Sequence, residues 1–127
     1  MLALDRISAT RIAATPEALD SAAWPDGALV LRLAPDEVLV TPMLAGFHLS
    51  DPHAIIVSES GFAGAWLAAA EAVEVLQRCC EWQLPTRRPA FAQGAVAGIP
   101  AKLWFETDRV LFLVPAPYAH DFAERVS

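Results

Sequence analysis

Gly61-Phe62-Ala63-Gly64-Ala65-Trp66-Leu67-Ala68-Ala69-Ala70-Glu71-Ala72-Val73-Glu74-Val75-Leu76 supports two readings, and the choice between them decides the fold. Phe62, Trp66, Ala69, Val73, Leu76 and Cys80 recur at helical spacing, and the alanine content favours one long helix over residues 61–84. Alternatively, Phe62, Gly64, Trp66 and Ala68 alternate with Ala63, Ala65 and Leu67, as in a strand covered on both faces. Propensity alone favours helix throughout. Residues 70–80 are helical under either reading, so strand or helix at 61–69 stays open on the residues alone.

On the C-terminal side, residues 84–94 read as a loop, with Pro85, Pro89 and Gly94 as breakers. Ile99-Pro100-Ala101-Lys102-Leu103-Trp104-Phe105 and Val110-Leu111-Phe112-Leu113-Val114 flank Glu106-Thr107-Asp108-Arg109, the clearest hairpin in the chain. After Pro115-Ala116-Pro117, residues 118–126 form an amphipathic helix with Phe122 and Val126 on its core side. On the N-terminal side, Ala54-Ile55-Ile56-Val57 is a β-branched strand. Residues 28–33 and 38–41 make a second hairpin around Ala34-Pro35-Asp36-Glu37, and residues 42–52 are a loop. Thr15-Pro16 is a helix-start signal, but residues 1–20 are otherwise poorly patterned, and residues 1–25 read as an N-terminal extension. Five or six strands and two or three helices in mixed order predict an α+β fold with one small mixed or antiparallel sheet.

The chain has 127 residues, the usual size of one domain, so residues 1–127 are expected to form a single domain. Apolar residues make up 55% of it, but 25 residues are alanine, leaving four Trp and six Phe as the bulky material. The net charge is −6, and Arg87-Arg88 is the only adjacent basic pair, which argues against nucleic acid. The start of the chain carries Asp5 and Arg6 behind a short apolar run, unlike a secretory signal, and no apolar run is long enough to span a membrane. The expected compartment is the cytoplasm. Cys79 and Cys80 are adjacent, a poor arrangement for a disulfide or a shared metal, and read as buried free thiols.

Catalytic constellations are hard to assemble from these residues. His48, His53 and His120 do not combine with the cysteines at metal-site spacing. Ser58-Glu59-Ser60 and His120-Asp121 supply residue types for nucleophilic chemistry without a G-x-S-x-G elbow, and read as solvated surface. The glycines form neither G-x-G-x-x-G nor a phosphate-binding loop. Glu74 and Arg78 form an i, i+4 pair on a wet helix face. Trp66 and Trp104 fall in apolar strand patterns and are expected in the core. Trp24 and Trp82 border turns and are the candidate partner-interface residues. No catalytic or metal-binding residue is assigned, and no cofactor is assigned to this chain alone.

The order of these landmarks resembles the gamma subunits of heterotetrameric sarcosine oxidase. Residues 31–40, Leu-Arg-Leu-Ala-Pro-Asp-Glu-Val-Leu-Val, are similar to that family's L-x-L-G-P-D-E-W-L hairpin, with Ala34 for Gly and Val38 for Trp. Residues 54–84 resemble its strand–turn–helix stretch, with Cys80 and Leu84 matching the tail. Phe91-Ala92-Gln93-Gly94, the hairpin of residues 99–114 and Tyr118-Ala119-His120-Asp121-Phe122-Ala123 parallel its closing strands and last helix. The likeness covers residues 28–126. Ala69-Ala70-Glu71 replaces the family's Gly-Pro-Asp turn, and the Asp of its D-x-S has no match near Ser58 and Glu59.

The resemblance implies the folate-binding fold of aminomethyltransferases, with a strand at residues 62–68 and a helix starting near Ala70. It further implies a non-catalytic accessory subunit of an amine-oxidising oxidoreductase of one-carbon metabolism. Flavin, folate and NAD would be held by the other subunits of the heterotetramer. Such a subunit should expose an apolar patch on the order of several hundred Å2. The alternative is a stand-alone small-ligand domain or one-carbon enzyme with a folate-like pocket, acting as a single chain or as a homodimer. It would need a concave pocket with a few convergent polar groups.

Overall fold

The computed structural model describes all residues, Met1–Ser127, as an α+β protein with two antiparallel sheets and three α-helices. The single sheet expected from the sequence is corrected to two. Residues 1–6 and 61–127 form one compact unit, and residues 7–60 form the other.

The larger unit holds β1 (Asp5–Arg6), β6 (Phe62–Ala68), α2 (Ala69–Cys79), β7 (Ala90–Val96), β8 (Ile99–Phe105) and β9 (Arg109–Pro115). A 3₁₀ turn (Ala116–Tyr118) leads into α3 (Ala119–Val126). Its five strands lie in the order β1-β6-β9-β8-β7. The quoted stretch is therefore strand first and helix second, as the resemblance implied. Tertiary pairing overrides alanine's helical preference here, because β6 is in register with β9 over its whole length. Gly64 fits that pairing closely: a Cβ there would lie 2.5 Å from Leu113 Cδ2. The switch to helix comes at Ala69, whose N–H donates to the Asp108 carbonyl (2.9 Å) in the turn between β8 and β9. Glu71 in the first turn and Arg78 in the last suit the helix dipole.

One face of this sheet packs against the helices, while Leu111 and Leu113 of β9 are buried on the other. Leu103, Phe105, Val110, Phe112 and Val114 pack with Ala72, Val75 and Leu76 of α2 and with Phe122 and Val126 of α3. Phe112 and Phe122 meet in a tilted pair, 6.3 Å between centroids. Each such fully buried side chain contributes about 1.5–3 kcal/mol of burial free energy. The interior role expected for Phe122 and Val126 holds.

β7 is a correction to the sequence reading, which made residues 84–94 a loop. Pro89 only precedes the strand, at the sheet edge, where a missing N–H is tolerated. Gly94, the other breaker, lies within β7 beneath the Trp82 ring. β7 and β8 are joined by Ala97-Gly98, both at positive φ (52° and 78°), the conformation of a two-residue type I′ hairpin turn. Alanine is an unusual residue there, and the turn is tied at both sides. The Ala97 N–H donates to the Cys79 carbonyl (2.7 Å), and Arg125 Nη1 donates to the Ala97 carbonyl (2.8 Å).

The smaller unit holds β2 (Ala9–Ala13), α1 (Pro16–Asp20), β3 (Leu29–Ala34), β4 (Glu37–Thr41) and β5 (Ile55–Glu59), in the sheet order β3-β4-β2-β5. The β3–β4 hairpin agrees with the sequence reading. The poorly patterned N-terminal stretch does not remain irregular, since Ala9–Ala13 is an interior strand between β4 and β5. Arg11 makes it legible afterwards: its guanidinium bridges Glu37 (3.2 Å) and Glu59 (3.1 Å) across the sheet. Thr15 caps α1 through its hydroxyl, which accepts from the Ala18 N–H (3.2 Å), with Pro16 at the first helical position. Ile12, Leu19, Val38 and Val40 form the core of this unit. No helix in the chain is long and apolar enough to cross a membrane.

Candidate functional site

The larger unit carries a groove of about 410 Å3, within the usual volume range of small-molecule sites. One wall is the face of α2 presenting Ala72, Val73, Leu76 and Gln77. The opposite wall is the segment 80–88, contributing Cys80, Trp82, Leu84 and Arg88. The end is closed by Phe105, Glu106, Thr107 and Val110, where β8 turns into β9. The bond from Ala69 to Asp108 sets the spacing between helix and turn.

Trp82 shapes the groove from below. Its ring occupies the space a side chain at Gly94 would fill, since a Cβ there would stand 2.5 Å from Cε2. Its Nε1–H donates to the Ala95 carbonyl (2.8 Å), so the indole is fixed by a polar tip and an apolar body. Arg88 lies with its guanidinium 4.7 Å from the Phe105 ring centroid. Its Nη1 donates to the carbonyls of Pro85 (2.9 Å) and Arg87 (2.8 Å).

Glu106 is bound on both oxygens. Arg109 Nε donates to Oε1 (2.8 Å) and Trp104 Nε1 donates to Oε2 (3.0 Å). These bonds, with that from Arg109 the larger influence, hold its carboxyl below the ordinary glutamate value. A carboxylate so occupied is an anchor and a poor proton acceptor. The groove therefore combines apolar walls with a cation at its rim.

Trp24 and Trp82, the two candidate interface residues, belong to different compact units. Both are half-buried. Trp24 stacks on Phe47 at 4.9 Å with the planes 5° apart, and Trp82 is fixed as described. Trp66 is a correction. It is 41% exposed rather than in the core, with the Arg109 guanidinium 3.7 Å from its ring centroid. Trp104, also expected in the core, is half-buried, and its N–H goes to Glu106. In register across the sheet, Phe91, Trp104, Leu111 and Trp66 form one row.

Other sequence candidates are dispersed. Cys79 and Cys80 are free and half-buried rather than fully buried, and the Cys80 thiol faces the Trp82 carbonyl (3.7 Å). His120 pairs with Glu124 (2.9 Å) while Asp121 pairs with Arg125 (3.0 Å), so the two neighbours serve different partners. Glu59 accepts from Arg11. The Glu74–Arg78 pair is present at 3.7 Å. Nowhere do three or more His, Cys, Asp or Glu side chains converge as a metal site would require.

Sequence reasoning missed Arg88, Phe105 and Glu106 as groove residues, because each lies in or beside a turn whose composition signals only the turn. Compared with protein-family models and with curated proteins, the chain matches none.

Proposed function

We propose that the chain is a non-catalytic accessory subunit of a sarcosine-oxidase-like, flavin- and folate-dependent amine-oxidising heterotetramer. The observation that carries this reading is Trp66. A large aromatic exposed on a sheet, steadied by an arginine over its ring and continuous with a row of apolar side chains, is a ready anchor for a partner protein. The succession of β6 and α2 supports the reading too, since the resemblance places a strand and a helix there. Trp24 and Trp82 are the further partner-facing residues of this proposal. Flavin, folate and NAD belong in it to the partner subunits, and the cytoplasm is the proposed compartment. Affinity capture of the tagged chain from its native host is expected to bring down a large flavoprotein, and Trp66→Ala to lose it while keeping its own thermal midpoint. Recovery of the chain alone in both cases would sink the reading.

A second reading is favoured by the groove, whose volume and rim cation suit a stand-alone small-ligand domain of folate-like specificity. Titration with a folate should then give heat and raise the thermal midpoint. A flat titration with no thermal shift disposes of it.

A further inference from the structure

We propose that β5 is a pairing edge through which two copies of this chain join their four-stranded sheets into one continuous antiparallel sheet. β5 pairs with β2 on one side and ends the sheet on the other. An edge strand presents backbone N–H and C=O groups on alternate residues. Proteins usually blunt such an edge with Lys, Pro, a bulge or a covering segment. β5 has no such device. Its register with β2 is unbroken, it contains no Lys or Pro, and Ile55, Ile56 and Val57 are 63%, 42% and 47% exposed. Its one charged residue, Glu59, sits at the end and is engaged by Arg11.

The sequence of the edge selects a second copy as occupant. In an antiparallel pair with its two-fold axis at Ile56, Ile56 faces Ile56 and Ile55 faces Val57, with Ser58 and Glu59 at the ends of the paired stretch. Apolar residues meet apolar ones, and the two glutamates lie at opposite ends of the interface, each held by its own Arg11. Moving the axis to Val57 sets each Ile55 against a glutamate, which penalises that alternative. The match also continues inward. Ile56 is in register with Ile12 of the buried core, so the pair would align Ile12, Ile56, Ile56 and Ile12 across both copies. On the other face Ile55 and Val57 stand beside Ala13 and Arg11. Such an interface is isologous and closes at two copies.

This inference is independent of the subunit reading and is tested on the isolated chain of 127 residues. Light scattering across a dilution series should show a reversible dimer of the 13.7 kDa chain. Ile55→Lys and Ile56→Lys should each raise the dimer dissociation constant about a hundredfold, with circular dichroism retained and with the wild-type thermal midpoint at dilutions where both are monomeric. Ile55 is the more exposed of the two, which guards against a folding defect in the other. With Cys79 and Cys80 replaced by Ser, Ile56→Cys should cross-link to its own copy under oxidised glutathione, and Ser58→Cys should not. A monomer at every concentration, or a dimer that both lysine variants leave intact, overturns the proposal. Cross-linking through Ser58→Cys in preference to Ile56→Cys overturns it as well. Release of a captured flavoprotein by the lysine variants would assign the edge to that partner and equally overturn self-pairing.

Discussion

Trp82 and Gly94 form a matched pair in which an absent side chain on one strand makes room for an indole from a neighbouring segment. Gly94→Ala must push that ring away, and with it the bond to the Ala95 carbonyl. Overpacking of this kind costs about 1–3 kcal/mol, so thermal denaturation should show a clear loss of stability together with a changed tryptophan emission. Unchanged emission would mean that the ring does not rest on the glycine. Glu106 supplies a second test. Its carboxyl is lowered in the folded state by Arg109 and then Trp104, so its stabilising effect is fully present above the ordinary value of 4.5 and is lost as pH falls through the lowered value. The stability gap between the wild type and Glu106→Gln should be constant near neutral pH and should close on acidification below about 4.5. Because the carboxylate is solvent-accessible, the gap is small and shrinks with added salt. A gap that widens in acid contradicts the assignment.

At the scale of elements, α2 begins without a capping side chain. Ala68 holds extended backbone (φ −57°, ψ 149°) and offers nothing to the first N–H groups of the helix. Ala68→Asp adds an acceptor and a favourable charge at that end, and should stabilise the protein by about 1 kcal/mol, read as a rise of about 4 °C in thermal midpoint. No rise would indicate that water or the Asp108 contact already satisfies the helix start. What the sequence disclosed and what it concealed follow from locality. The hairpins of β3–β4 and β8–β9, the cap at Thr15 and the inward side of α3 rest on nearby residues and are readable. β7 is concealed because the residue that permits Gly94 in a strand, Trp82, lies 12 positions away. β2 is concealed because its arginine finds its partners 26 and 48 residues on. Trp66 has the alternating neighbours of a core residue, and only the pairing of β6 with β9 reveals that it faces outward beside Arg109. The groove was not legible, since it is assembled from a helix, an irregular segment and a turn that share no motif.

For the whole molecule, the chain leaves the larger unit after Arg6 and returns at Gly61. Arg6 and Ala63 are register partners in the larger unit, and Ala9 and Glu59 are partners in the smaller. A break in the loop of residues 42–54 therefore leaves two seams spanning the cut, β1 with β6 and β2 with β5. A protease site placed at Gly46 and cleaved to completion should yield fragments that co-elute under native conditions and part only in denaturant. Fragments that separate without denaturant would show these seams to be too weak to hold the molecule together.

That detour also sets a timetable during synthesis. The partner of Arg6 is not made until Ala63 has been added, a wait of about 3–12 s at ordinary translation speeds. Before then β2, β3 and β4 are already made and can pair, whereas β5 follows only a few residues ahead of Ala63. Asp5 and Arg6 are thus made long before the strand they join.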